Sequence, residues 1–378
     1  MEKKISFIHC ADIHMDASFQ SMGRDIFARE RRRDLKRTLE DIVSLVLKSN
    51  TDFLVVSGDL YEHQYITRST IQWINEQFSR LCNKPVIIVT GNHDPCVKNS
   101  WYRIYPWNTN VHILTTNNPV YMDEELNVLF YGIGFDTFRQ DQLPAMKIPE
   151  LSPDMYNLCL FHGTIDMAFT QYPYNPVGSK ELIEMGFDYY AAGHFHERNE
   201  TLAKEGIINS GSPEPLGFDE QGEHGVYRVC LNKRQGMLQR EYGFIPLQQR
   251  KYCEFNLDVG ELESDTQVKA KLDKFLKTYN YKRDIARVNL TGRLFPGYKI
   301  DTKGLEQELE GVCFFTKLAD NTRPGYILEE LIKEKDISGV FAAKMQERIS
   351  KAQGEEKRIL EKALYLGLEA LFEGKVIL

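Results

Sequence analysis

The sequence predicts an α/β core followed by a small α+β unit and a helical tail. Three observations carry this reading. The first half alternates short apolar runs with stretches of helical spacing. Most of those apolar runs end in a cluster of Gly, Asp, Asn or His. Near residue 245 the pattern changes to a short strand, helix, strand, helix series, and then to helix alone.

Lys4–His9 reads as a buried strand ending in polar residues. Asp25–Leu47 reads as a helix, because Ile26, Leu35, Leu39, Ile42, Val43 and Val46 fall near its period. Asp52–Ser57 is β-rich and runs into Gly58-Asp59; Thr67–Leu81 has helical spacing; Pro85–Thr90 is a strand running into Gly91-Asn92-His93-Asp94. Leu126–Phe135, Asn157–Phe161, Asp188–Ala192, Gly206–Asn209 and Gly225–Leu231 read as further strands, the later ones adding antiparallel pairs. Beyond residue 245, Lys251–Asp258 and Arg287–Gly292 read as strands, Ser264–Tyr279 and Gly304–Glu310 as helices. The tail from Ile327 is helical, with Ile359, Leu360, Ala363, Leu364, Leu368, Leu371 and Phe372 on one stripe. The expected divisions are therefore 1–245 for the core, 246–322 for the small α+β unit and 323–378 for the tail.

Composition excludes several classes. With 42% hydrophobic and 27% charged residues the chain has the balance of an ordinary globular protein, not of a disordered one. No apolar run is long enough to span a membrane, and the polar N-terminus enters a strand at once, so no membrane association is expected. The seven cysteines are scattered and include no C-x-x-C pair, which fits reduced thiols in a cytoplasmic protein and not a cysteine zinc site. A net charge of -7 argues against a protein that binds nucleic acid through a general basic surface, although bound cations would add positive charge locally.

The chemistry follows the strands. Asp12 and His14 come after the first, Asp59 after the second, and Asn92, His93 and Asp94 after the third; His162, His194 and His196 follow later ones. Side chains at the carboxyl ends of neighbouring strands converge on one crevice in α/β folds. Carboxylate, amide oxygen and imidazole together suit a pair of divalent cations. Asp59 is the natural bridging carboxylate. Gly58, Gly91, Gly163 and Gly193 permit tight turns and close backbone approach beside these residues. A single His after a strand is more often packed than ligating, and a single Gly-Asp is usually a turn. Five of the nine histidines fall in this ordered set, and chance assembly of the whole is improbable.

The ordered set D-x-H, G-D, G-N-H-D, H and G-H-x-H, over residues 12–196, resembles the calcineurin-like metallophosphoesterase superfamily. The resemblance implies a two-sheet β-sandwich flanked by helices. It also implies that Asp12, His14, Asp59 and His196 hold one metal, and that Asp59, Asn92, His162 and His194 hold the other. His93 would then be the catalytic acid, oriented by Asp94. Within the superfamily three segments are similar to SbcD- and YhaO-type DNA-repair nucleases: F-I-H-C-A-D-I-H-M-D, Gly58–Glu62, and Asn209–Glu214 with Gly222–Gly225. Glu62 stands where that branch often has Asp or His, three residues after Asp59, and His63 stands next to it.

This branch implies a two-metal DNA exo- or endonuclease that acts on DNA ends with an SbcC-type coiled-coil ATPase. It further implies a homodimer and a small capping domain. The cofactors expected are two divalent ions, manganese first, with iron, zinc or magnesium also fitting the ligands. No other cofactor site is expected. A phosphoesterase acting on a small nucleotide, or a non-catalytic scaffold for the ATPase, would be the other functions consistent with the chain.

Four features have a bland reading beside the functional one. Arg24–Arg37, with seven basic and three acidic residues, reads first as a solvated helix face with ion pairs and second as a DNA contact. Trp101, Tyr102, Tyr105 and Trp107 read as a packed cluster before a stacking surface for bases. Met15, Phe19 and Met22 read as core or site rim. The stripe on the last helix either packs on its own domain or meets the ATPase.

Overall fold

Each apolar run that precedes a site cluster folds as a strand with its apolar residues buried, and those strands build two sheets packed face to face. The computed structural model describes residues 4–19, 25–144, 147–166, 174–234, 237–278 and 282–374, in two units, Met1–Tyr252 and Cys253–Leu378. Arg24, Met22 and Tyr279 lie outside the described residues.

In the first unit the order is β1 (Ile5–Cys10), α1 (Asp25–Lys48), β2 (Phe53–Ser57), α2 (Arg68–Ser79), β3 (Val86–Val89), α3 (Trp101–Ile104), β4 (Val111–Leu114), β5 (Val120–Asp123), β6 (Val128–Ile133), β7 (Tyr156–His162), α4 (Ser179–Glu184), β8 (Tyr189–Gly193), β9 (Ile207–Asn209), β10 (Gly225–Arg234) and β11 (Met237–Pro246). The first sheet runs β11-β10-β1-β2-β3-β4, and the second β5-β6-β7-β8-β9. β1 to β4 are parallel, as are β6 to β9, while β10 and β11 add antiparallel pairs to the first sheet.

Side chains alternate along a strand, so each sheet has two apolar faces to cover. Phe7, Phe53, Val55, Ile87 and Val89 of the first sheet share one core with Phe130, Leu158, Leu160, Tyr189 and Ala191 of the second. The other face of the second sheet (Tyr131, Cys159, Phe161, Tyr190) packs against Leu182 of α4. Leu35, Leu39, Ile42, Val43 and Val46 of α1 are buried, as are Ile71, Ile74 and Phe78 of α2. Ile26, on the same expected stripe, is 65% exposed. Thr67 caps α2 by accepting from the Thr70 amide. The fold is thus the expected mixed α/β sandwich flanked by helices.

The basic stretch is not one solvated face. Arg33 pairs with Glu30 on the exposed side of α1, while Arg37 reaches from solvent to buried Asp34 at 3.4 Å. Arg31 is fully buried, within 2.8 Å of Asp34 and 2.6 Å of Glu214, and it donates to the Pro215 carbonyl at 2.7 Å. Removing one member of a buried ion pair strands the other charge in the interior. Arg31→Met is therefore expected to destabilise the fold by about 3–5 kcal/mol. Arg33→Ala should leave stability near wild type. Urea unfolding of the two variants checks the contrast, and equal stabilities would refute it.

The second unit begins with β12 (Tyr252–Asp258), whose first residue closes unit one, followed by α5 (Asp265–Thr278), β13 (Ile285–Thr291), α6 (Thr302–Glu308) and β14 (Phe315–Asp320). Its sheet is β12-β13-β14, with β13 and β14 parallel. Val268, Leu272, Val288, Leu290, Leu305 and Leu318 form its core. Then come α7 (Leu328–Leu331), α8 (Ile337–Lys351) and α9 (Gly354–Glu373). The stripe of α9 divides. Leu360, Leu364 and Leu368 pack against Ala342 and Met345 of α8, while Ile359, Leu371 and Phe372 are exposed. Buried Glu369 pairs with Arg293 at 3.2 Å and Arg323 at 3.5 Å. Among the described residues no helix is long and apolar enough to cross a membrane.

Candidate metal centre

Parallel ladders bring the ends of β1, β2 and β3 to one edge of the first sheet, and those of β7 and β8 to one edge of the second. The loops beyond them continue the pairing: the Asp12 amide donates to the Gly58 carbonyl at 3.1 Å, and the His14 amide to the Asp59 carbonyl at 2.9 Å. The His93 amide donates to Asp59 Oδ1 at 2.8 Å. The His194 amide donates to Asp12 Oδ2 at 3.0 Å.

This convergence is held with backbone strain. Asp12, His14, Asp59 and His194 have φ of 52°, 50°, 51° and 105°. Side-chain-bearing residues in that region carry about 1–3 kcal/mol of strain each, and such residues gather at functional sites. Two glycines are required by space. At Gly58, with φ of 88°, a Cβ would collide with the His162 ring, and at Gly91 it would collide with the Asp59 carboxylate.

All seven expected ligand residues meet. Ligand atoms of Asp12, His14 and His196 lie within 4.8 Å of one another, and so do those of Asp12, Asp59 and His162. Asp59 Oδ2 stands between His14 Nε2 at 3.6 Å and His162 Nε2 at 3.4 Å. Asn92 Oδ1 lies 3.2 Å from His162 Nε2 and 3.1 Å from His194 Nδ1.

The outer nitrogens of three rings are held from behind. His14 Nδ1 is 2.8 Å from Glu62, His196 Nδ1 is 2.7 Å from Glu220, and His162 Nδ1 is 2.8 Å from the Ser57 carbonyl. A ring that donates its outer N–H presents a bare lone pair inward. His14 Nε2 and His196 Nε2 then face each other at 3.1 Å. Two lone pairs that close repel unless a proton or a cation lies between them. The donor set and its orientation therefore fit divalent cations.

The electrostatics agree. Burial pushes Asp12 upward, while at Asp59 the nearby imidazoles, His162 foremost, outweigh burial and hold the carboxyl well below its usual range. At His162 and His196 burial works downward, but the surrounding carboxylates win and raise both to about 9. His194 is lowered to about 3, chiefly by burial and then by its neighbour His162. Negative potential strong enough to hold extra protons on imidazoles is also strong enough to attract cations.

Residues 5–198 match the model of the calcineurin-like phosphoesterase family, Metallophos. The chain belongs to this family. It is 26% identical over 235 residues to the uncharacterized metallophosphoesterase YhaO of Bacillus subtilis (strain 168), a match over 60% of this chain and 57% of that protein. The chain thus spans little more than half the length of that relative. A crystal structure of the protein TT1561 of Thermus thermophilus is similar at 13% identity with a TM-score of 0.36, over 63% of this chain and 99% of that one.

Beside the candidate ligands stands His93, its side chain 45% exposed and its ring 4.8 Å from that of His14. Asp94, expected to orient His93, binds the backbone of the surrounding loops. Asp94 is fully buried and ties the loop backbone together, accepting from the amides of Gly91 (2.7 Å), Asp59 (3.2 Å) and Leu60 (2.6 Å) and from the Tyr102 hydroxyl (2.7 Å). The ring of His93 is held by Glu62, at 3.0 Å from Nδ1. Asp94 acts on His93 as a nearby charge and through the loop backbone that it holds. Burial lowers His93, but the Glu62 hydrogen bond and the carboxylates of Asp59, Glu62 and Asp94 raise it to about 9.

Glu62 thus has a defined place, with one oxygen on His14 and the other on His93. His63 next to it donates its amide to the His93 carbonyl at 3.0 Å, and its ring lies 5.3 Å from Phe138. Tyr102 belongs to the aromatic cluster, 5.0 Å from Tyr61 and 6.1 Å from Trp107, so part of that cluster packs behind the site. Met15 and Phe19 are buried. Glu220 was missed by sequence reasoning: it lies in a turn, and nothing in its local pattern marks it as the partner of His196.

Proposed function

We propose that this phosphoesterase is a two-metal nuclease that hydrolyses the phosphodiester backbone of DNA. The observation that carries the reading is the approach of an imidazole from each ligand set, His14 and His162, to Asp59, with a partly exposed His93, pushed up to about 9, beside them. A DNA strand leaves as an alkoxide, a poor leaving group that needs a proton. The segments Gly58–Glu62, Asn209–Glu214 and Gly222–Gly225 support a DNA substrate by their likeness to repair nucleases.

When bound, a pair of divalent cations supplies charge neutralisation to the phosphate oxygens and acidifies the attacking water. Asp12, His14, Asp59 and His196 would hold one of them; Asp59, Asn92, His162 and His194 would hold the other. Manganese is proposed, with iron, zinc and magnesium compatible with the same donors. Glu62 fixes the His93 ring through Nδ1 and leaves Nε2 to donate a proton to the departing oxygen. Asp94 keeps the loop that carries Asn92 and His93 in place through its backbone hydrogen bonds.

An SbcC-type ATPase, DNA ends and a second copy of the chain are part of the proposal. The exposed Ile359, Leu371 and Phe372 of α9 support a protein-binding surface there. The net charge of -7 favours a second reading, a phosphoesterase for small nucleotides. Manganese-loaded protein is expected to degrade linear DNA and to bind it more weakly as salt rises. Turnover of a cyclic nucleotide without DNA binding or cleavage, in the presence and absence of the ATPase, would overturn the nuclease reading.

A further inference from the structure

The two halves of the centre are backed by different chemistry. On the side of Asp12, both imidazoles rest on carboxylates: His14 on Glu62 and His196 on Glu220. Glu220 is itself fixed, accepting from the Ser212 hydroxyl at 2.9 Å and the Leu216 amide at 3.1 Å. Ser212 in turn donates its amide to the His196 carbonyl at 2.9 Å, so ring and carboxylate are held by one turn. On the other side, His162 rests on the neutral carbonyl of Ser57, and Asn92 contributes a neutral amide. Asp59 is shared. Asp12 lies near imidazoles of both halves, but among the described residues the two backing carboxylates stand behind the first half alone. A carboxylate behind an imidazole raises its basicity and fixes its aim, and removing such a partner typically costs 10–100-fold in metal affinity.

We propose that Glu220 and Glu62 are positioning residues that make the Asp12–His14–His196 half the tighter cation site and leave the Asn92–His162–His194 half the looser, exchangeable one. The inference rests on the two ligand sets of the proposed function. It predicts ordered loading, with the looser half filled only at higher free metal.

Titration of metal-free protein with Mn²⁺, followed by the electron paramagnetic resonance of the free ion, reads this without reference to activity. Wild type should take up two ions per chain in two steps separated by at least about tenfold. Glu220→Gln and Glu62→Gln should each weaken the tighter step by roughly 10–100-fold and leave the looser one within about twofold. Asn92→Ala should weaken the looser step alone. Ser212→Ala, which removes one support of Glu220 with little change in packing, should shift the tighter step in the same direction by a smaller factor and stands in if Glu220→Gln fails to fold. Two steps of equal affinity, or glutamine variants that leave the tighter step unchanged, overturn the proposal while the ligand sets stand. No Mn²⁺ uptake by folded wild type, or uptake unaffected by Asp59→Asn, overturns the ligand sets themselves.

Discussion

Replacing His93 by alanine is expected to slow cleavage of a diester with an alkoxide leaving group by about 10²–10⁴-fold, the usual contribution of a positioned acid, while metal content stays at the wild-type level. The hydrogen bond from His93 to Asp59 comes from the backbone amide, which alanine keeps, so the ligand geometry should survive. The ring is placed to supply a proton: Glu62 holds Nδ1, and the carboxylates around it push the imidazole up to about 9. The leaving group discriminates the acid role from a structural one. A p-nitrophenyl diester departs as a stable phenolate and needs no proton, so the variant should lose less than about tenfold on it. Equal losses on DNA and on the activated diester would remove His93 from the acid role. Loss of bound metal in the variant would assign it to the ligand framework instead.

Asp59→Asn is expected to have the second large effect. The carboxylate lies within 3.6 Å of His14 Nε2 and 3.4 Å of His162 Nε2, one imidazole from each ligand set. Asparagine keeps the volume and an oxygen for the His93 amide but removes the charge that two cations would share in the proposed ligand sets. Stoichiometry should fall from two ions per chain to at most one. Metal clamping supplies several kcal/mol of charge stabilisation in the transition state. At 1.36 kcal/mol per factor of ten, loss of about 4 kcal/mol slows hydrolysis roughly 10³-fold. Metal analysis of the dialysed variant, beside its rate on the activated diester, checks both halves of the expectation. Two retained ions and a rate within tenfold of wild type would show that Asp59 does not bridge them.

The strands that carry the site were legible because each is a short apolar run buried on both faces, and such runs keep their signal whatever surrounds them. β2 and β3 are entirely buried, and so are β6, β7 and β8. β4, β5 and β11 were not assigned. They lie at sheet edges, where one side has no neighbouring strand, and their mixed sequences VHIL, VYMD and MLQREYGFIP carry little apolar continuity. β14, at the edge of the three-stranded sheet, was missed for the same reason.

By itself the sequence determined the residue types and their order: seven ligand-type side chains and His93, each just beyond an apolar run. That order follows from local rules, since a strand must be apolar and its carboxyl-end turn must be small or polar. Only the tertiary structure decided which groups stand behind them. Glu62 on His14 and His93, Glu220 on His196, and Asp94 on the loop amides are contacts across 24 to 48 positions of chain for the glutamates and up to 35 for Asp94. The burial of Arg31 against Glu214, across 183 positions, is of the same kind. A hydrogen bond between side chains is set by a few tenths of an ångström after packing is complete, and no local periodicity in the chain encodes that distance.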